Sequence, residues 1–319
     1  MIKAHIPHLA VGCLLLAACC WLSVLVACGN GGSGGNAVAG GEGNAVAAAD
    51  SSALKIAVMP TLDCLPLFVA SEKGIFLREG LDVVLCPFTA QMDCDTAIAG
   101  GTVHAMVTDL VRAERLQRQG TPLHYATATS LQWQLLTNKT ARIRQLKQLD
   151  DKMVAMTRYS ATALITDMLV DRAGLPGERV FRIQVNDVLV RLSMLQTGVM
   201  DAMLLPEPQA TVGRELKAAV VYDSESDSLR LGVIAFSQQA LQNDTLRHRQ
   251  MEAFARAYDA ACDSITEKGT GHYRDLIARH CHVDESIADS IEAQHPMTFY
   301  HYAPPRQSDI DRARAWLPR

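Results

Sequence analysis

Polar side chains recur in this 319-residue chain at the points where short apolar segments end. Each of these segments is followed by turn-forming residues, which predicts a buried strand. In open α/β sheets, small molecules bind at the carboxyl ends of the strands, where helix N-termini also leave N–H groups free. The candidate ligand contacts are therefore Thr61, Asp63, Cys64, Gln91, Asp109, Thr129, Trp133, Arg158, Ser160, Thr162, Asn186 and Glu207.

Several of these candidates have a purely structural alternative. Asp63 and Asp109 each precede a predicted helix and could serve only as its N-cap, and Ser160 or Thr162 could do the same. Trp133 could pack in a core, or its ring could stack on a planar ligand. The sequence leaves these alternatives open.

Glu207 lies between Pro206 and Pro208, neither of which can donate a backbone hydrogen bond. A carboxylate on such a stiff turn is expected to face a ligand or a hinge.

Carboxylates outnumber cations among the residues at strand ends. Arg158 is the only strong cation there, against Asp63, Asp93, Asp95, Asp109, Asp187 and Glu207. Sulfonate recognition usually needs positive charge or free helix N-termini. The acidic excess therefore favours a neutral or nitrogen-rich ligand, such as a pyrimidine-like compound, over a sulfonate.

Four common motifs of enzymes are absent from the folded body that the sequence predicts. This part of the chain contains no G-x-S-x-G elbow, no H-E-x-x-H, no P-loop and no G-x-G-x-x-G. His280-Cys281-His282 has no second ligand pair at zinc-like spacing and is predicted to be a helix end. We expect no catalytic residue, no metal and no cofactor.

The elements that must position the candidate residues alternate between strands and helices, which predicts mainly parallel sheets. The pattern is interrupted around Trp133 and resumes at Met153, so we expect two lobes joined by crossovers at 131–139 and 231–236. Lobe 1 is expected to comprise residues 54–132 and 233–319, and lobe 2 residues 133–232. The predicted helices in the C-terminal region are 245–267, 273–279, 285–294 and 308–316.

A short similarity between two segments of the sequence, which we call the internal echo, supports two lobes of similar build. Gly101-Thr102-Val103-His104-Ala105-Met106-Val107 aligns with Gly198-Val199-Met200-Asp201-Ala202-Met203-Leu204. Each segment follows a predicted helix, begins a strand and ends close to a carboxylate, which is Asp109 in one case and Glu207 in the other.

Three short motifs resemble a known family: Pro66-Leu67-Phe68-Val69-Ala70, Gly74-Ile75-Phe76 and Gly80-Leu81-Asp82-Val83. They are similar to the opening of bacterial ABC-transporter substrate-binding proteins for alkanesulfonates, taurine and the pyrimidine precursors of thiamine. The similarity extends more loosely to about Ala240. It implies a two-lobed type II periplasmic-binding-protein fold, each lobe a mainly parallel sheet flanked by helices, with two crossover strands as the hinge.

The resemblance also implies a function. The expected protein is a monomer that captures a small organic solute and delivers it to an ABC permease and ATPase. Some yeast-type relatives make a thiamine pyrimidine with a cysteine-rich iron-binding motif, which this sequence lacks. An enzyme on the same scaffold and an extracytoplasmic solute sensor remain the alternatives.

The N-terminal region indicates the compartment. Lys3 precedes an uncharged apolar run that ends in Leu25-Val26-Ala27-Cys28, which matches a bacterial lipobox. A signal anchor is the alternative, since about 18 apolar residues approach membrane-spanning length. We expect residues 1–27 to be a lipoprotein signal peptide, Cys28 to be lipidated on the periplasmic side of a bacterial membrane, and 28–53 to be a flexible tether.

Composition excludes one class of partner. The formal net charge is −4 and charged residues make up 20% of the chain, so it has no basic field of the kind that nucleic-acid binding requires. Removing the signal peptide and Cys28 leaves Cys64, Cys86, Cys94, Cys262 and Cys281, an odd number, so at least one thiol is expected to be free.

Overall fold

The computed structural model describes residues 53–242 and 244–317. The predicted signal peptide, Cys28 and residues 29–52 of the tether lie outside the described residues. No helix within those ranges is long and apolar enough to cross a bilayer.

Within residues 53–242 and 244–317, ten strands form two five-stranded sheets of the same design. Their bounds are β1 Leu54–Val58, β2 Val83–Pro87, β3 Ala105–Asp109, β4 Leu123–Ala128, β5 Gln134–Thr137, β6 Lys152–Met156, β7 Val180–Gln184, β8 Ala202–Leu205, β9 Ala219–Asp223 and β10 Gly232–Ser237. The strand orders are β2-β1-β3-β10-β4 and β7-β6-β8-β5-β9. We call the first sheet with its helices lobe 1 and the second sheet with its helices lobe 2.

Helices cover the sheets and fill the C-terminal part of the chain. They are α1 Leu65–Glu72, α2 Ile75–Arg78, α3 Gln91–Ala99, α4 Leu110–Arg118, α5 Ala161–Arg172, α6 Val188–Thr197, α7 Gln209–Glu215, α8 Gln238–Leu241, α9 Thr245–Lys268, α10 Arg274–Cys281, α11 Ser286–Gln294 and α12 Gln307–Trp316. The helix-period segments of the sequence thus form helices with ends shifted by one or two residues. The segment 143–150, which resembles a short helix of the same family in the sequence, forms only a 3₁₀ turn at Leu146–Leu149.

Each sheet contains one antiparallel strand where the sequence pattern predicts a crossover. β10 pairs antiparallel with β3 and β4, and β5 pairs antiparallel with β8 and β9. These two strands enter their sheet directly from the other lobe. No crossover helix carries the chain back to the edge of the sheet at which the parallel strands begin. Each of these two strands therefore runs antiparallel to its neighbours.

The internal echo corresponds to equivalent geometry in the two lobes. His104 Nδ1 accepts a 3.0 Å hydrogen bond from the backbone N–H of Lys55 in β1, and Asp201 Oδ2 accepts a 2.9 Å bond from that of Met153 in β6. His104 and Asp201 are aligned residues of the echo. Each therefore fixes the start of the central parallel pair of its own sheet.

An ion pair under lobe 1 holds α3 against α4. The Arg112 side chain is 1% exposed and pairs with Asp95, which is 13% exposed, with a 3.3 Å bond from Arg112 Nε to Asp95 Oδ1. Burial raises the pKa of Asp95, and the neighbouring Arg112 opposes this shift. The ion pair lies directly behind the β3–α4 junction, where Asp109 is located.

The two segments that pass between the sheets approach each other closely at Gly232. A Cβ built at Gly232 would lie 2.5 Å from Leu131 Cβ and would also overlap Thr129 Oγ1. Only glycine allows this spacing between the outgoing segment after β4 and the incoming strand β10.

Candidate functional site

A cavity of about 40 Å³ lies between the two lobes. Its lining consists of residues at the carboxyl ends of strands and the first turns of the helices that follow: Met59, Thr61, Asp63, Gln91, Val107, Asp109, Leu131, Trp133, Thr157, Ser160, Thr162, Val188, Arg191 and Pro206. Seven of the twelve candidate contacts lie here, namely Thr61, Asp63, Gln91, Asp109, Trp133, Ser160 and Thr162.

Asp63 forms part of the floor of the cavity and is held by two hydroxyl groups. Thr61 Oγ1 donates to Asp63 Oδ1 at 2.7 Å, and Thr129 Oγ1 donates to Asp63 Oδ2 at 2.9 Å. Burial raises the pKa of Asp63, and both hydroxyl bonds oppose this shift. The carboxylate belongs to a 3₁₀ turn at Leu62–Cys64 and does not cap α1.

Asp109 caps α4 and also contacts lobe 2. Its Oδ1 accepts 3.0 Å hydrogen bonds from the backbone N–H of Arg112 and from that of Ala161, at the start of α5. Its Oδ2 makes no hydrogen bond with any residue in the described ranges. Burial raises the pKa of Asp109 from 3.8 to about 6, against the opposing charge of Arg112. Asp109 therefore both caps α4 and lines the cavity.

Ser160 and Thr162 form the turn that begins α5. Ser160 is the N-cap, accepting a 3.1 Å bond from the Thr162 N–H, and its Oγ lies 2.7 Å from the Thr157 carbonyl. Thr162 Oγ1 accepts a 2.9 Å bond from the Thr157 N–H. These hydroxyls line the cavity, but their hydrogen bonds are local to the turn.

Trp133 and Gln91 also line the cavity. The Trp133 backbone is fixed by Ser224, with a 2.9 Å bond from Trp133 N–H to Ser224 Oγ and a 2.9 Å bond from Ser224 N–H to the Trp133 carbonyl. Gln91 Nε2 donates to the Val107 carbonyl at 3.3 Å, whereas Gln91 Oε1 is buried without a partner among the described residues.

Arg191 is a cavity residue that the sequence did not single out. It lies in the first turn of α6 and is 6% exposed. Its Nη1 donates to the Leu204 carbonyl at 2.7 Å, while its Nε has no partner in the described structure. Desolvation lowers the pKa of Arg191 to about 10, and the charge of Asp187 opposes this shift. A signal was present, because Arg191 shares a helix face with Val188 and Leu195, both buried.

Five candidate contacts lie outside the cavity lining. Cys64 is buried, with its Sγ 3.8 Å from Thr61 Oγ1, and Thr129 supports Asp63 from behind. Arg158 is exposed in a surface hollow with Tyr159 and Trp316. Asn186 lies at the interlobe rim, where its Nδ2 is 2.9 Å from Met92 Sδ.

Glu207, the fifth, is directed into lobe 2. It accepts hydrogen bonds from Thr211 N–H at 3.0 Å and Thr211 Oγ1 at 2.7 Å, and it pairs with Arg214 Nη1 at 2.8 Å. The neighbouring Pro206 lines the cavity wall at the position expected for Glu207. The stiff turn thus orients Glu207 towards the start of α7.

The lobes contact each other around the cavity. The Leu62 N–H donates to the Glu207 carbonyl at 2.8 Å, and Gln209 Nε2 donates to the Pro60 carbonyl at 2.7 Å. At the opposite rim Thr89 Oγ1 donates to Asp187 Oδ2 at 2.6 Å. These bonds, with Asp109 to Ala161, define a closed arrangement of the two lobes.

One cluster of potential metal ligands occurs in the described ranges, and it lies away from the cavity. Asp223, Glu225 and His295 have ligand atoms within 4.8 Å of one another. Asp223 Oδ2 already accepts from Gln134 Nε2 at 2.6 Å and lies 2.7 Å from His295 Nε2. The hydrogen bond to Asp223 raises the pKa of His295. Asp223 and His295 thus already form an ion pair within this cluster.

Two similar α/β lobes with a cavity between them define the periplasmic-binding-protein class of folds. Residues 61–267 match the model of the family described as NMT1/THI5 like, and the chain belongs to that family. A comparison with curated protein sequences found no match.

Solved structures of this class superpose over most of the chain. The aliphatic sulphonate binding protein SsuA from Escherichia coli is 16% identical, with 81% of this chain and 87% of that chain covered and a TM-score of 0.63. The alkanesulfonate-binding protein SsuA from Xanthomonas axonopodis, bound to MOPS, is 14% identical, with 84% of this chain and 91% of that chain covered and a TM-score of 0.68. The nitrate-binding protein NrtA from Synechocystis is 12% identical, with 81% of this chain and 74% of that chain covered and a TM-score of 0.67. At these identities the similarity establishes the fold.

Proposed function

We propose that this chain is the substrate-binding component of an ABC importer, which captures a small organic solute between its lobes and delivers it to a permease and ATPase. The observation that carries this proposal is the cavity between the lobes, which is lined by the buried residues Asp63, Asp109 and Arg191. The similar fold of proteins named for binding sulfonates and nitrate supports it.

The charges of the cavity favour a nitrogen-containing solute. Two carboxylates and one arginine line it, so a solute with N–H donors is complemented better than one with a sulfonate alone. A nitrogenous heterocycle of the thiamine-precursor type is compatible with the Trp133 wall, on which a planar ring can stack.

The mechanism is closure of the lobes around the solute. The segments that pass between the sheets, 129–133 and 224–231, act as the hinge, and Gly232 allows them to approach closely. We place the lobe boundaries at 132/133 and at 231/232, one residue before the boundary expected from the sequence, because Gly232 already pairs with Asp109 in the sheet of lobe 1. The interlobe bonds of Leu62, Gln209 and Thr89 form on closure and present a single rigid surface to the permease.

We propose no covalent chemistry for the solute. The Ser160 hydroxyl is engaged with Thr157 and Thr162, and no histidine in the described ranges hydrogen-bonds to it. A serine nucleophile requires a base in that position. An enzyme on this scaffold and a solute sensor are the alternatives that the experiments below separate.

The membrane attachment is proposed to be a lipid on Cys28, with the following residues as a tether. Replacing Cys28 by serine is expected to abolish the incorporation of fatty acid into the protein, because no acyl chain can then be added. Fatty-acid labelling measures this. Cys86→Ser, at a half-buried thiol of the folded body, is the control and should leave the labelling unchanged.

The function itself is tested on the chain produced without residues 1–28, which we call the soluble body. A thermal-shift screen tests it against sulfonates, pyrimidines, amino acids and polyamines. A bound solute raises the unfolding midpoint by mass action, with a free-energy gain of about 2.7 kcal/mol at one hundred times its Kd. We expect at least one class to raise the midpoint and the solute to be recovered unchanged. Conversion of the solute would support the enzyme alternative, and no shift in any class would contradict the proposal.

A further inference from the structure

The cavity contains a charge for which the protein supplies no counterpart. Arg191 is 6% exposed, and among the described residues its side chain forms one hydrogen bond, from Nη1 to the Leu204 carbonyl. Its Nε is buried and unpaired. The nearest stabilising charge, Asp187, uses Oδ1 to cap α6 and Oδ2 to accept from Thr89. A buried cation without a hydrogen-bonded anion is costly, so this position is expected to have a function.

Lobe 1 offers the opposite polarity to the same cavity. Asp109 Oδ1 is occupied by the Arg112 and Ala161 N–H groups, but Oδ2 makes no bond within the described part of the chain. Gln91 Oε1 is likewise buried without a partner there. Both unused atoms are hydrogen-bond acceptors, whereas the unused atom of Arg191 on lobe 2 is a donor.

We infer that Arg191 anchors an oxyanion of the solute while Asp109 and Gln91 take its N–H groups, so that the solute is a compact amphoteric molecule. This inference rests on the proposed importer function and narrows its substrate class. A solute with only an oxyanion leaves Asp109 facing it unpaired, and a solute with only an amine leaves Arg191 unpaired. Only a molecule with both groups satisfies both lobes at once, and this couples binding to closure.

The cavity is small in this closed arrangement of the lobes. Its volume of about 40 Å³ is on the order of three water-sized spheres. Leu131, Val188 and Pro206 form an apolar wall that can cover the part of the solute between its two polar ends. The cavity therefore favours a compact solute.

The test uses probes that differ only in the two polar groups. The first set is β-alanine, propionate and propylamine; the second is 4-aminopyrimidine with and without a 5-carboxylate. Titration calorimetry of the soluble body is expected to show binding for members that carry both groups, with each single-group analogue weaker by about 30-fold or more.

Two arginine variants make the test specific. Arg191→Met is expected to reduce the preference for acid-bearing probes over acid-free ones to less than threefold without lowering the unfolding midpoint of the free protein. Arg158→Met, at an exposed arginine of the same lobe, should leave both quantities unchanged. A merely structural role for Arg191 would lower the midpoint and keep the preference.

The outcomes distinguish the inference from the function on which it rests. Tight binding of a solute that lacks either group, or an unchanged acid preference in Arg191→Met, overturns the inference and leaves the importer function standing. Absence of binding by every probe and by every compound of the thermal-shift screen overturns both.

Discussion

Replacing Asp109 by alanine is expected to weaken solute binding by about 100-fold, the largest loss predicted for any single position of the cavity. The change removes the acceptor for the solute N–H group, and it also removes the interlobe bond to the Ala161 N–H. Fewer closed molecules are then available to bind. Titration calorimetry with the solute found in the screen measures the effect.

Asp109→Asn is the matched control for this change. Asparagine is also a preferred N-cap, so the start of α4 and the bond to Ala161 are retained while the charge is lost. Alanine should lower the free energy of unfolding by about 1 kcal/mol more than asparagine does. An Asp109→Ala protein with wild-type affinity would show that Asp109 is only a cap.

The pKa of Asp109 also predicts how binding depends on pH. Because the pKa in the folded protein is raised from 3.8 to about 6, the carboxyl group is largely neutral at pH 5 and ionised at pH 7. Affinity for an amine-bearing solute should therefore rise between pH 5 and pH 7, and this rise should be much smaller in Asp109→Asn. In the solute-free protein, the raised pKa of Asp109 makes stability depend on pH in the opposite direction. The contribution of Asp109 to the free energy of unfolding is present below about pH 4 and is lost as the pH rises through about 6.

The largest expected loss of stability follows from Asp95→Ala. This change removes the carboxylate that pairs with Arg112, whose side chain is 1% exposed. A buried guanidinium left without its partner costs about 3–5 kcal/mol, because the charge remains desolvated. Urea unfolding at constant pH measures the change in free energy.

The exposed ion pair of Arg179 and Asp150 provides the comparison for Asp95. Its side chains are 50% and 43% exposed, so solvent already screens their charges. Asp150→Ala should leave the unfolding curve unchanged. Equal effects of Asp95→Ala and Asp150→Ala would mean that the Arg112 ion pair contributes no more than a surface contact.

The architecture could be predicted from the sequence to a large extent. Buried strands such as Leu54–Val58 and the glycine stop at Gly74 have local causes, namely apolar runs and a left-handed φ of 65°. The echo between the segments around His104 and Asp201 predicted two lobes of similar build, and both sheets have the same strand order. The antiparallel direction of β5 and β10 could not be read locally, because it depends on how the chain enters the sheet from the other lobe.

The cavity was less predictable, because its residues come together only when the lobes close. Asp63 and Asp109 could be named as candidates because strand ends can be read from a local pattern, and both line the cavity. Arg191 was missed because it lies within a helix that otherwise resembles a core helix. Arg158 and Glu207 occupy the expected loops, but Arg158 faces solvent and Glu207 turns towards Thr211 and Arg214. Side-chain direction after a strand end depends on tertiary partners that the local sequence does not show.

One small solute is proposed to bind between the lobes and to leave unaltered. A calorimetric titration of the soluble body, followed by mass spectrometry of the released solute, tests this proposal. We expect one solute per chain, recovered with its original mass, and a stoichiometry that persists in Asp109→Asn at lower affinity. Recovery of a chemically changed solute, or binding that Asp109→Ala and Arg191→Met both leave at wild-type strength, would contradict it.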